Sequence, residues 1–184
     1  MIRFVLYLLG GLALGGIIHV VTVLGVPHFA ERDAWARVAA FGPDGRFNAI
    51  PRVAPGVKPL PGIDPAMAHA VCRFSLAKAP VRIKAELPDN YWSIALYDRA
   101  GLVVYSLNDR AAEQKPIDVL IATAEQIAQL RENPPEDFEN IVIVDWPDRD
   151  GFAMLKAFVP TPSLRPEIEA ALGTASCQAA PIAP

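Results

Sequence analysis

The chain opens on an unbroken apolar run. From Phe4 to Val26 there are 23 residues with no Asp, Glu, Lys or Arg. A helix of that length measures ~34 Å, enough to cross the hydrocarbon core of a bilayer with some tilt. A cleaved signal peptide would have an apolar core of only ~7–15 residues and a small-x-small cleavage site. VLGVPHFAERDAW offers no such site, so residues 4–26 are predicted to be an uncleaved transmembrane helix. Pro27 lacks an N–H and clashes with the preceding turn, so the helix is expected to end or kink there. HFAERDAWARVAAF resumes as a short juxtamembrane helix. Phe29, Trp35, Val38 and Phe41 are its apolar surface, with Trp35 at headgroup level. Residues 42–65 hold six prolines and four glycines, which disfavours helix and central strand. Residues 28–65 therefore read as juxtamembrane helix followed by extended connector.

From residue 66 the period becomes two. In AHAVCRFSL, Ala68, Ala70, Cys72, Phe74 and Leu76 share a face. In VRIKAEL, Val81, Ile83, Ala85 and Leu87 point inward while Arg82, Lys84 and Glu86 face water, the pattern of a half-buried strand. YWSIALYDRAGLVVYSLNDR predicts a hairpin, strands 91–98 and 102–108 about a turn at 99–101. IDVLIAT is a further strand. Thr123 and Gln126 have capping-box spacing ahead of a helix whose inner face is Ile127 and Leu130. NIVIVDWP and GFAMLKAFVP are expected to pair as a second hairpin across DRDG. RPEIEAALG is a short helix with Gly173 as its cap. The tail 174–184 carries no pattern beyond Cys177. About seven strands and two short helices predict a mainly β (α+β) domain over 66–173, an antiparallel β-sandwich behind one transmembrane helix.

Composition and charge narrow the setting. The chain has 184 residues and a net charge of −3, so it has no basic field to hold nucleic acid. Arg3 flanks the start of the span, while Arg32 and Arg37 follow its end, so local positive charge does not favour a cytoplasmic N-terminus. Long domains translocate largely regardless of flanking charge, however, and a two-residue overhang resembles a signal anchor. Both cysteines, Cys72 and Cys177, lie beyond the span. They read either as two buried thiols or as one disulfide in an oxidising compartment. The second reading places the domain outside the cytoplasm.

Chemistry is sparse. His19, His28 and His69 are the only histidines, and neither HExxH nor a CxxC pair occurs, so no metal and no cofactor is expected. Asp145 to Gly151 superficially matches a calcium loop, but Pro147 occupies a liganding position and the closing acid is missing. No GxSxG elbow or phosphate loop is present. Asn108, Asp109 and Arg110 are the densest polar cluster, at the end of their hairpin opposite Asp98 and Arg99. They read first as a turn and second, with Tyr91 and Tyr97 on one face of the hairpin, as a ligand or interaction surface. Within the span, Gly11, Gly15, His19 and Thr22 fall within about 80° of arc, a face fitted to another helix. His19 adds a polar group to that face.

At AVCRFSL, PVRIKAELPDNYWSIALYDRAGLVVYSLNDR and GFAMLKAFVP the chain resembles a bacterial family of membrane-anchored proteins, the domain of unknown function 1254 family. The resemblance covers roughly residues 65–160, and the hairpin is its specific part. It implies a β-sandwich, often accompanied by domain of unknown function 1214 in the same or a neighbouring chain. The second domain is not expected here, so a partner carrying it would be separate. The resemblance implies no catalytic residue. Two functions follow. One is a non-enzymatic envelope protein that binds a protein partner, a second copy or a small ligand. The other is an enzyme acting on a small acid, sugar or lipid in a cleft, with Asp98, Asp109 or Asp145 as acid or base.

Overall fold

A computed structural model describes residues 1–51, 62–113, 115–132 and 141–180. Residues 52–61 of the connector, and the last four of the tail, lie outside the described residues. So do the side chains of residues 27–33, His28 and Phe29 among them.

The first helix, α1 (Ile2–Ala39), does not end at Pro27 but runs on for twelve residues beyond it. Residues Ile2–Val26 are apolar and long enough to cross a membrane, and none of the span is buried in the protein. The connector is not wholly bare either. Asn48–Ala49 form a short strand, β1. Asn48 donates its side-chain amide to the carbonyls of Pro43 and Arg46, which holds the chain at its entry to the domain.

The remaining strands are β2 (Met67–Ser75), β3 (Val81–Ala85), β4 (Trp92–Asp98), β5 (Val103–Asn108), β6 (Ile117–Ala122), β7 (Val142–Asp145), β8 (Asp150–Phe158) and β9 (Ser176–Ala179). They form two sheets, in the orders β1-β2-β8-β4-β5 and β7-β6-β3-β9. The architecture is α+β, as the periodicity predicts. The inner faces meet in one core. Ala70, Cys72, Ile94, Leu96, Ala153 and Leu155 come from the five-stranded sheet. Ile83, Val119, Ile121 and Val144 come from the four-stranded one. The period-two pattern holds best on β3, where Val81, Ile83 and Ala85 are buried while Lys84 is exposed.

Four expectations need correction. The second predicted hairpin does not form, because β7 and β8 belong to different sheets. Trp146 is buried between them and carries the chain from one layer to the other. The sheets are also not purely antiparallel. β7 pairs parallel to β6, and the helix α2 (Ala124–Glu132) is the crossover between them. Such a connection requires a helix-length excursion, where a hairpin needs only a turn. Gly173 is not a cap but lies within the last turn of α3 (Arg165–Thr174). The tail's first residues are ordered as β9, hydrogen-bonded along β3.

Other features stand as read. Thr123 and Gln126 make the reciprocal capping bonds, Thr123 N–H to Oε1 at 3.0 Å and Gln126 N–H to the threonine hydroxyl at 3.3 Å. Gln126 also donates to the Leu76 carbonyl, tying α2 to the end of β2. The hairpin of β4 and β5 turns at Gly101, whose φ of +88° favours glycine. Cys72 and Cys177 form a disulfide, with Cα atoms 6.5 Å apart. It joins an inner strand of one sheet to an edge strand of the other, across the core.

Candidate functional site

On β2, β8 and β4 the residues that point away from the core are Met67, His69 and Val71, then Phe152, Met154 and Lys156, then Ser93, Ala95 and Tyr97. An apolar outer face must be covered. The C-terminal turns of α1 cover part of this one. Val38 is buried in a cluster with Val71, Phe152 and Ile50, with Trp35, Phe41, Ile63 and Tyr97 packed against it. Trp35 is therefore not simply a headgroup residue. Its ring lies under two guanidinium groups, Arg73 at 4.9 Å and Arg99 at 5.6 Å.

The helix covers only one end of the face. At the other, a cavity of about 720 Å³ opens. One wall is α1, through Ala34, Arg37 and Val38. The segment Gly62–Asp64 is another. Met67 and His69 come from β2, and Phe152, Met154 and Lys156 from β8. Tyr91, Tyr97 and Gly101 close it. The floor is mostly apolar, with Tyr97 stacked on Phe152 at 4.9 Å and nearly parallel. A few polar groups converge on it, which is the composition of a small-molecule site, and its volume lies within the usual ~300–1,000 Å³.

The strand register sets the polar groups in a row. His69 is opposite Lys156, and Lys156 is opposite Ser93. Lys156 makes no ion pair among the described residues. His69 is buried, and burial lowers its pKa below the usual value. Lys156 and Arg165 lower it further, while Asp64 and a backbone hydrogen bond at Met67 oppose them. The neutral imidazole therefore persists in the folded protein below the pH at which it protonates in the unfolded chain. Folding stability from this group is complete above ~6.5 and declines as pH falls from there through the lowered folded value. Acidification from pH 7.5 to 5.5 should lower the melting temperature of the wild type more than that of His69→Gln. Parallel slopes would contradict this.

The residues singled out in the sequence fall in separate places. Tyr91 and Tyr97 line the cavity. Asn108, Asp109 and Arg110 do not. Asn108 accepts the Ala111 N–H in a turn, as its structural reading requires. Asp109 lines a separate cavity of about 190 Å³ with Glu86, Asp89 and Trp92, and its Oδ1 is buried without a hydrogen-bond partner among the described residues. Asp98 accepts the Leu102 N–H in the β4–β5 turn, and Asp145 is exposed at the end of β7 in the other sheet. The three carboxylates proposed for catalysis do not converge. Among the described residues no group of three His, Cys, Asp or Glu is placed to hold a metal ion. In the span, the Thr22 hydroxyl donates to the Ile18 carbonyl at 2.8 Å, and Gly11 and Gly15 face open space. Sequence reasoning missed His69, Met154 and Lys156 as cavity residues. The only signal was that His69 is the sole histidine of the domain.

No family model matches the chain, and no curated protein does. Among solved structures it is similar to the VPA0106 protein from Vibrio parahaemolyticus, at 13% identity and a TM-score of 0.52. That match covers 65% of this chain and 29% of the other. An uncharacterised protein from Burkholderia cenocepacia aligns at 14% identity and a TM-score of 0.45, over 73% of this chain and 35% of its own. This chain thus spans about a third of the length of either. At such identity the Vibrio likeness concerns the fold.

Proposed function

We propose that this chain is a non-enzymatic cell-envelope protein, anchored in the bacterial inner membrane by α1, whose periplasmic domain binds a small amphiphile. The observation that carries the reading is the cavity of about 720 Å³ walled by α1 itself. An apolar floor suits a chain or ring, and Lys156 at its edge suits an anionic head. The apolar span and the disulfide support the location. The resemblance to the domain of unknown function 1254 family supports it too, and under it a protein carrying domain 1214 is the natural partner. The face of Gly11, Gly15, His19 and Thr22 is the proposed contact with a second copy or a partner helix. An enzyme using Asp98, Asp109 or Asp145 has less geometry behind it, since none of the three lines this cavity.

Native mass spectrometry of the full chain released from detergent tests the binding. Wild type should carry a small-molecule adduct. Met154→Trp, which fills the cavity, and Lys156→Glu, which reverses its charge, should both lose it at unchanged melting temperature. The same adducts on all three proteins would overturn the reading.

A further inference from the structure

Where α1 meets the domain fixes which edge of the domain looks back toward its apolar span. Ala34 lies at the β4–β5 turn, where a side chain added at Gly101 would meet its Cβ at 3.1 Å. One helical turn on, Val38 packs with Val71 of β2 and with Phe152. Further on, Ala40 and Phe41 line a hollow with Ala49 and Ile50 at β1. The sheet runs β1-β2-β8-β4-β5, so the helix crosses its outer face from the β5 side toward β1. Followed backward, α1 leaves the domain past the β4–β5 turn.

Among the described residues, that turn carries the most exposed large apolar side chains outside the span. Leu102 is 63% exposed and Val103 57%, more than Tyr91, Ile143 or Phe158. Beside them is Arg99, exposed, over the Trp35 ring and 3.6 Å from the Asp150 carboxylate. Such a cluster of aliphatic, aromatic and cationic groups suits a headgroup layer. The height also fits. Ala34 is eight residues beyond Val26, ~12 Å along the axis. A 25-residue span exceeds a ~30 Å hydrocarbon core and tilts to fit. At a tilt of ~20–40°, Ala34 stands ~9–11 Å above the hydrocarbon, just past a headgroup layer of ~5–7 Å. Leu102 and Val103 follow Gly101, which adjoins Ala34, so a tilt toward that side brings them down to the headgroup layer.

We propose that the β4–β5 turn, through Leu102 and Val103, is a second contact with lipid, resting on the headgroup layer of the membrane that α1 spans. The inference rests on the anchor reading. An axis through the bilayer and one contact beside it fix the rotation about that axis, so the domain would be held in one orientation, with the cavity wall at Ala34 and Gly101 next to the bilayer surface.

The full chain is reconstituted in phosphatidylcholine–phosphatidylglycerol vesicles as Leu102→Trp, as Ser106→Trp and as wild type. Vesicles are washed in alkaline carbonate and floated. A chain that fails to float overturns the anchor and this proposal together. In floated vesicles, the emission added by Leu102→Trp should be quenched by phospholipid brominated near the headgroup and protected from aqueous iodide. That added by Ser106→Trp, farther along β5, should show the reverse. Iodide quenching of both overturns the turn contact and leaves the anchor standing. Protection of Leu102→Trp from both quenchers means that protein, such as a second copy paired along β5, covers the edge instead, and this also overturns it.

Discussion

Reducing the Cys72–Cys177 bond should lower the unfolding midpoint of the soluble domain by about 15–20 °C, taking about 4 °C per kcal/mol for a domain of this size. The two cysteines are 105 residues apart. Opening a loop of that length restores chain entropy to the unfolded state worth about 4–5 kcal/mol on the chain-entropy model. The native state loses little packing, because both sulfurs stay buried. The effect concentrates on β9, a four-residue strand whose only ladder partner among the described residues is β3. Thermal melts of the full chain in detergent, with and without reductant, measure it. Cys72→Ala and Cys177→Ala should each reproduce the reduced curve. A shift smaller than ~4 °C, about 1 kcal/mol, would mean that β9 is held by its ladder and not by the bond.

The second large effect is expected at Trp146. Its ring is 2% exposed and meets Phe74 edge-on at a centroid distance of 5.2 Å. The indole N–H donates to the Asp150 carbonyl at 3.4 Å. Truncating a buried aromatic costs about 3–5 kcal/mol. The neighbourhood is filled to capacity. A side chain at Gly151 would come within 2.4 Å of the tryptophan ring and 2.7 Å of Phe74. Trp146→Ala should therefore remove a large part of a typical stability of about 5–15 kcal/mol and lower the urea midpoint in proportion, whereas Trp146→Phe, which refills most of the space, should lower it far less. Equal midpoints for the two variants would refute this. Because Trp146 sits where the chain changes sheets, its loss should also loosen β7 relative to β8.

Local chemistry made much of the fold legible. The alternation of β3, the β4–β5 hairpin and the Thr123–Gln126 box are decided by neighbours within a few residues, and the structure keeps all three. The errors share a cause. DRDG looks like a hairpin turn at short range, but which sheet each flanking strand joins depends on where Trp146 is buried. Pro27 removes one backbone hydrogen bond. Whether a helix continues past it depends on what the next turns pack against, here Val71 and Phe152. β9 has one buried side chain, Cys177, too little to announce a strand until the edge of β3 is there to receive it. The cavity was the least legible feature. It gathers residues near positions 34–38, 62–69, 91–101 and 152–156, which share no motif and meet only through the register of β2, β8 and β4.

The continuity of α1 has a mechanical meaning. A helix that is both the span and a wall of the cavity passes a tilt from one to the other, so it behaves as a lever with its fulcrum at the membrane surface. Ala34 and Val38 lie ~12–18 Å along that lever from Val26. A change of ~10° in the tilt of the span, of the size that bilayer thickness imposes, swings that wall sideways by ~2–3 Å. The β4–β5 turn touches the lever near its base and opposes the swing.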